Sequence, residues 1–247
     1  MDHLIKTEVA HPKDRLAVAL DFPSAAEALN LVDRLEGSCQ WFKVGMELHY
    51  TAGNDFVEML RARGFNVFLD LKLHDIPNTV AGAVRSVTGV GASLLTIHAS
   101  GGAAMMAAAA EAAAVPGAPR LLAVTVLTSM DAGQLAGVGV AGTPAEQVLR
   151  LAKLAHGAGI KGMVCSPEEV ADLREELGPE AMLVIPGIRP AGSDVGDQRR
   201  VATAGEAIAR GASMLVVGRP ITRAIDPAAA ARAILDEIAG ATADLRG

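Results

Sequence analysis

Short runs rich in Val, Ile and Leu recur along this chain, separated by longer Ala-rich segments of helical character. The runs are Leu16–Asp21, Trp41–Val44, Val67–Leu73, Ser93–His98, Leu121–Leu127, Gly162–Cys165, Met182–Ile185 and Met214–Val217. Most are continuously apolar rather than strictly alternating, the pattern of strands whose two faces are both covered. Strand and helix alternating in this way predict a parallel sheet, and eight such units predict a (β/α)8 barrel, the TIM-barrel architecture of the α/β class. The 247 residues fit one such domain, since single barrels commonly reach roughly 200–250 residues. No Pro/Ser-rich linker divides the chain, so 1–247 is expected to be one domain, with 1–14 an N-terminal extension. A doubly wound open sheet is the alternative, because pattern alone does not show closure.

Local signals mark the helix starts. Ser24-Ala25-Ala26-Glu27, Thr143-Pro144-Ala145-Glu146 and Ser166-Pro167-Glu168-Glu169 each place a hydroxyl three residues before a Glu, and two of them carry Pro at the first helical position. Gly64, Gly91, Gly159 and Gly211 fall at the expected helix exits, where a left-handed residue is often needed.

Charge and cysteine usage narrow the function classes. Twenty-two Lys+Arg against 28 Asp+Glu leave a net charge of −6, which argues against a nucleic-acid protein. Cys39 and Cys165 are far apart and form no C-x-x-C pair, so two buried thiols in a reducing compartment are expected. The first fourteen residues lack a signal-peptide apolar stretch, and the longest apolar helix candidate, Ala103 to Ala114, is too short to cross a bilayer. A soluble cytoplasmic protein without membrane or nucleic-acid partners is the expectation.

In a (β/α)8 barrel the site lies at the C-terminal ends of the strands. Read in order, those ends give Asp21, Lys43, Asp70-Leu71-Lys72, His98, Thr128-Ser129, Ser166, Pro186-Gly187 and Gly218-Arg219. The densest piece is the run Asp70 to Thr79, DLKLHDIPNT. Alternation along a strand would put Asp70 and Lys72 on one face and Leu69, Leu71 and Leu73 on the other. An ion pair closing the barrel top is the bland reading. A second carboxylate, Asp75, and a second lysine, Lys43, turn the pair into a charge network, which favours catalysis. Gly218 would let the backbone approach an anion, and Arg219 would supply a charged fork. The connection Pro186 to Arg200 is long for a strand-to-helix loop and adds Arg189 and Gln198, with Gly187, Gly192 and Gly196 as hinges. Arg199 and Arg200 are read as a solvated loop face. The residues alone therefore point to a phosphate-binding barrel with a carboxylate–lysine site.

Asp70-x-Lys72-x-x-Asp75 within DLKLHDIPNT resembles the orotidine 5′-phosphate decarboxylase family. The resemblance extends over almost the whole chain: LAVALD with Asp21, WFKVG with Lys43, VTVLTS with Thr128, PGIRP with Arg189 and VVGRPIT with Gly218 and Arg219, in the family's order. It implies decarboxylation of orotidine 5′-phosphate (OMP) to UMP, the last step of de novo pyrimidine nucleotide synthesis, without cofactor or metal. It also implies roles. Lys72 would stabilise and protonate the carbanion-like centre, with Asp70 beside the departing carboxylate and Asp75 completing the catalytic set. Asp21 and Lys43 would bind the ribose hydroxyls, and Thr128 would lie near the pyrimidine ring. Arg189, Gln198, Gly218 and Arg219 would contact the nucleotide, and Ile76 and Pro186 complete the substrate-binding set. Asp75 and Thr79 would reach into a partner subunit's site, which makes a homodimer the expected partner state.

Two rivals stand beside this reading. A Mg2+-dependent barrel acting on sugar phosphates would need further carboxylates, for which Glu47 is the candidate. A nucleotide-binding sensor without activity would have no reason to crowd Asp70 against an anionic ligand. Gly137-Val138-Gly139-Val140-Ala141-Gly142 matches G-x-G-x-x-G, yet it lies well past its strand and is read as a loop before Thr143. His74 and His98 match no standard zinc spacing, and Trp41 and Tyr50 are read as packing residues.

Overall fold

Eight parallel strands close into a barrel in the computed structural model, which describes residues 11–35, 37–190 and 200–244. They are β1 (Leu16–Leu20), β2 (Trp41–Gly45), β3 (Asn66–Leu73), β4 (Leu94–His98), β5 (Arg120–Val124), β6 (Gly162–Val164), β7 (Met182–Ile185) and β8 (Met214–Val217). Each pairs with the next, and β8 returns to β1 through Leu16↔Leu215 and Val18↔Val217. Closure removes the open-sheet alternative.

The period of two survives inside the apolar runs as a division between two cores. Ala17 and Ala19 of β1 join Trp41, Phe68, Leu94, Leu122, Val184, Met214 and Val216 in a cluster filling the barrel. Leu16, Val18 and Leu20 belong to the other cluster, between strands and surrounding helices. In β1 the inward residues are alanines and the outward ones branched, the small side chains leaving room inside the barrel for Trp41 and Phe68. Trp41 is an interior residue, as the packing reading expects; Tyr50 is not packed but 79% exposed on the helix Met46–Ala62.

Several local signals hold. Ser24 caps the helix Ala25–Arg34, and Thr143 forms a reciprocal capping box with Glu146 on Pro144–Gly157. Gly64, Gly91, Gly159 and Gly211 take φ of 86°, 82°, 91° and 103°, the left-handed region where a side chain is strained. Both cysteines are buried, and burial pushes the Cys39 thiol up to about 12.

Three expectations are corrected. β5 stops at Val124 rather than Leu127, because both neighbours end at its level: Val124 pairs with His98, the last residue of β4, and with Val164, the last of β6. Ser166 opens a turn and not a helix; the helix begins at Val170, and Glu169 returns its carboxylate to the Ser166 amide. The G-x-G-x-x-G segment starts inside a short helix, Ala132–Gly137, whose Asp131 and Gln134 form a capping box absent from the sequence reading.

Candidate active site

Inward positions stack along each strand, apolar near the strand starts and polar near the ends. In β2 Trp41 is followed two residues later by Lys43; in β3 Phe68 is followed by Asp70; in β4 Leu94 is followed by Thr96 and then His98. This stacking brings separated residues into a chain of alternating charge. Lys43 Nζ lies 2.9 Å from Asp21 Oδ1 and 3.5 Å from Asp70 Oδ2, and Lys72 Nζ lies 2.8 Å from the same Asp70 oxygen. Lys43 and Asp70 are each only 8% exposed, so these charges attract through a medium far less screening than water. Burial by itself would raise the Asp70 carboxyl, but the ammoniums of Lys43 and Lys72 and the hydrogen bonds from Lys72 and Thr96 outweigh it and hold it below the ordinary carboxylate range. Burial likewise disfavours the Lys43 ammonium, yet Asp70 and Asp21 prevail and its pKa is raised.

Lys72 reaches this position through an irregularity that simple alternation does not contain. The β3–β4 register runs Leu69↔Leu95 and next Leu73↔Ile97, so four residues of β3 advance against two of β4. Within that bulge Lys72 has φ of 51°, the only positive value outside glycine among the described residues. Leu71 and Leu73 still pack on the outer core.

The network faces a cavity of about 720 Å³ at the C-terminal end of the barrel. Thr128, Pro186, Arg189, Gly218 and Arg219 line it together with Asp21, Lys43, Asp70 and Lys72. A Cβ on Gly218 would point toward Ala19 and Asp21 at 3.6 and 3.9 Å, so the glycine keeps the wall between β8 and β1 open rather than relieving a clash. The two ends of the loop after β7 are tied by an Ile188↔Ala202 bridge and by the Arg189 amide donating to the Ala202 carbonyl at 2.9 Å. Gln198 and Arg199 lie outside the described residues.

Asp75, Ile76 and Thr79 are not brought to the lysines. β3 ends at Leu73, and the chain turns at Asp75, whose carboxylate accepts the Ile76 amide at 2.6 Å before the helix Pro77–Thr88 begins. All three side chains are exposed, and Ile76 leaves 67% of its surface uncovered. His74 and His98 face each other with ring centroids 5.4 Å apart. Burial, followed by His74 and Lys72, holds His98 below the ordinary histidine range.

Three features escaped the sequence reading. Thr96, fully buried, donates to Asp70 Oδ1 and accepts the Lys72 amide, both at 2.9 Å. Its signal was a lone hydroxyl at an inward position of an apolar strand. Gly45 faces the Asp21–Lys43 pair: a Cβ there would lie 3.1 Å from both Asp21 Oδ1 and Lys43 Nζ. Arg200 corrects the solvated-loop expectation. It is 7% exposed, ion-paired with buried Glu169 and bonded to the Leu127 carbonyl at 3.1 Å. Its planar fork thus joins the segments after β5, β6 and β7, an arrangement that no local pattern announces.

The chain matches, over residues 14–234, the model of the orotidine 5′-phosphate decarboxylase / HUMPS family. It is 56% identical over 228 residues to orotidine 5′-phosphate decarboxylase of Halorhodospira halophila, covering 92% of this chain and 97% of that one. The enzyme of the same name from Moorella thermoacetica is 54% identical over 235 residues, covering 92% and 93%. The crystal structure of orotidine 5′-phosphate decarboxylase from Lactobacillus acidophilus superposes with a TM-score of 0.81 at 41% identity, over 91% of this chain and 99% of that one. With an eight-stranded closed barrel and a charged C-terminal rim already in place, the match along nearly the full length means that this chain belongs to the orotidine 5′-phosphate decarboxylase / HUMPS family.

Proposed function

We propose that this chain is a lyase that decarboxylates OMP to UMP, in pyrimidine nucleotide synthesis, with its own side chains supplying the charge and the proton. The observation that carries the reading is the alternating chain Asp21–Lys43–Asp70–Lys72 at the mouth of a cavity that also holds Arg189 and Arg219. Decarboxylation breaks the bond between the ring carbon and its carboxylate, leaving the electron pair on the ring as CO2 departs. On this reading the Lys72 ammonium stabilises that developing charge and then delivers a proton to the same carbon. Asp70, held ionised, crowds the substrate carboxylate, a repulsion relieved as CO2 leaves. Asp21 and Lys43 bind the ribose hydroxyls, and Thr128 and Pro186 border the ring. Arg189, Gln198, Gly218 and Arg219 hold the phosphate end.

Asp75, Ile76 and Thr79 act in the second site of a homodimer. Their exposure just beyond the end of the strand that carries Asp70 and Lys72 supports this. No helix among the described residues is long and apolar enough to cross a membrane, and a cytoplasmic enzyme is the location we propose.

The test is direct. Purified protein mixed with OMP should consume the orotate absorbance, and EDTA treatment should leave the rate unchanged. Loss of activity with EDTA would favour the Mg2+-dependent sugar-phosphate reading, to which Glu47 on the cavity wall gives its one support. Mixing Asp75→Asn with Lys72→Ala should create mixed dimers with one site free of both lesions, restoring up to about half the activity of those dimers under two-fold symmetry. No recovery, with mixed dimers verified by native mass spectrometry, would place Asp75 in its own subunit's site.

A further inference from the structure

The Lys72 amide lies inside the β3 bulge, where the ladder to β4 skips from Leu95 to Ile97. A half-buried amide left out of the ladder there needs another partner or carries part of the cost of desolvation. It finds Thr96 Oγ1 at 2.9 Å. An amide can only donate, so the hydroxyl accepts from Lys72 and has its single proton left for Asp70 Oδ1, also at 2.9 Å. The direction of both bonds is therefore fixed. Asp70 must present Oδ1 as an acceptor, which leaves Oδ2 turned to Lys72 at 2.8 Å and Lys43 at 3.5 Å. Thr96 is fully buried and β-branched, so its hydroxyl has little rotational freedom. It is absent from the cavity lining and touches the reaction only through Asp70 and Lys72.

We propose that Thr96 is a positioning residue for the decarboxylation: its one hydroxyl locks the left-handed backbone of Lys72 and the carboxylate of Asp70 into a single geometry. The two groups are only two residues apart in sequence, and a regular strand would already put them on one face. The bulge gives Lys72 a different backbone, and with it a freedom that the hydroxyl removes. A valine matches threonine in shape but can neither accept from the amide nor donate to the carboxylate. Serine can do both. The inference rests on Asp70 and Lys72 being the working groups, so the Thr96 variants are compared with Lys72→Ala in the same assay.

Thr96→Val, Thr96→Ser and wild type should be compared for kcat and KM toward OMP, with melting temperature and Lys72 amide exchange measured on the same samples. Thr96→Val should lose roughly ten- to a hundredfold in kcat with KM little changed, the cost of displacing a reacting group by a fraction of an ångström to an ångström. Its Lys72 amide should exchange faster than in wild type. Thr96→Ser should recover most of the wild-type kcat. If Thr96→Val does not fold, Thr96→Ala removes the same oxygen with less bulk and carries the same expectation. Wild-type kcat in a folded Thr96→Val or Thr96→Ala protein would overturn the proposal, and so would equal losses in Val and Ser. An active Lys72→Ala would instead overturn the catalytic reading itself, whatever Thr96 does.

Discussion

At the N-terminal end of the barrel, Arg15 and Arg174 direct their guanidinium groups to the backbone, whereas at the C-terminal end the cations meet carboxylates and an open cavity. Arg174 donates to the carbonyls of Gly178 and Ala181, each at 2.8 Å, to that of Gly211 and to Ser213 Oγ at 3.0 Å. Arg15 reaches the Ser213 carbonyl at 3.3 Å and Thr242 Oγ1 at 2.9 Å. These bonds clamp the segments entering β7 and β8 to the flanking helices. Beneath them Trp41, Leu94, Leu122 and Met214 close the interior. At the far end Lys43, Asp70 and Lys72 satisfy one another and leave a cavity of about 720 Å³ above them. Cationic side chains staple one end and keep the other open, because carbonyl oxygens fix a cation without needing a counter-charge, while paired charges remain free to meet a charged ligand.

The contrast can be broken most severely at Lys72. Lys72→Ala should abolish turnover while the protein stays folded, because no other named group stands ready to protonate the ring carbon. A folded variant with near-normal activity would remove the catalytic assignment from this end, and an unfolded one would make the Asp70–Lys72 pair a structural clasp.

Arg219 sharpens the comparison within the open end. Arg219→Ala should cost roughly 3 kcal/mol or more in kcat/KM for OMP if a bidentate phosphate contact is lost, and almost nothing for orotidine, which lacks the phosphate. Phosphite added as a separate piece should accelerate orotidine turnover by wild type and much less by the variant. Equal losses on both substrates would assign Arg219 to the fold or to the chemistry.

Arg174 tests the stapled end. Arg174→Met keeps the apolar stem and should lower stability by about 2–3 kcal/mol, as buried carbonyls lose a charged donor. The kcat of the folded protein should not move. A fall in kcat without a fall in melting temperature would erase the division of labour between the two ends.

The smallest expected effect concerns His98, at the open end of β4. Burial holds its folded pKa below the ordinary 6.5, so the unfolded chain takes up the proton first as pH falls. Its contribution to stability is present above pH 6.5 and is lost as pH drops through the folded value. Wild type should therefore lose stability relative to His98→Asn as pH is lowered below neutrality, read by denaturant midpoints at each pH. A parallel pH dependence in the two proteins would show that the ring takes up its proton equally well folded and unfolded.

Much of this was legible in the chain itself. Apolar runs at regular spacing set the number of strands, because a parallel strand covered on both faces must be apolar along its whole length. The glycines at the helix exits were readable because only a residue without a Cβ takes those φ values cheaply, and DLKLHDIPNT announced its charges because Asp and Lys have no place in an apolar strand unless paired. Other features belonged to the tertiary structure. The bulge that turns the backbone of Lys72 depends on the register against β4, and the hydroxyl that holds it lies 24 residues away. Arg200 read as loop surface because a lone arginine in a polar segment carries no local sign of its partner; Glu169 is 31 residues distant and meets it only when β6 and β7 are neighbours. Ser166 and Glu169 had the spacing of a helix cap, but one carboxylate oxygen of Glu169 takes the Ser166 amide and hydroxyl while the other takes Arg200, and the pair sits in a buried turn before the helix. Periodicity and backbone conformation are local and stay visible in sequence, whereas a hydrogen bond between distant segments exists only after closure of the barrel has brought them together.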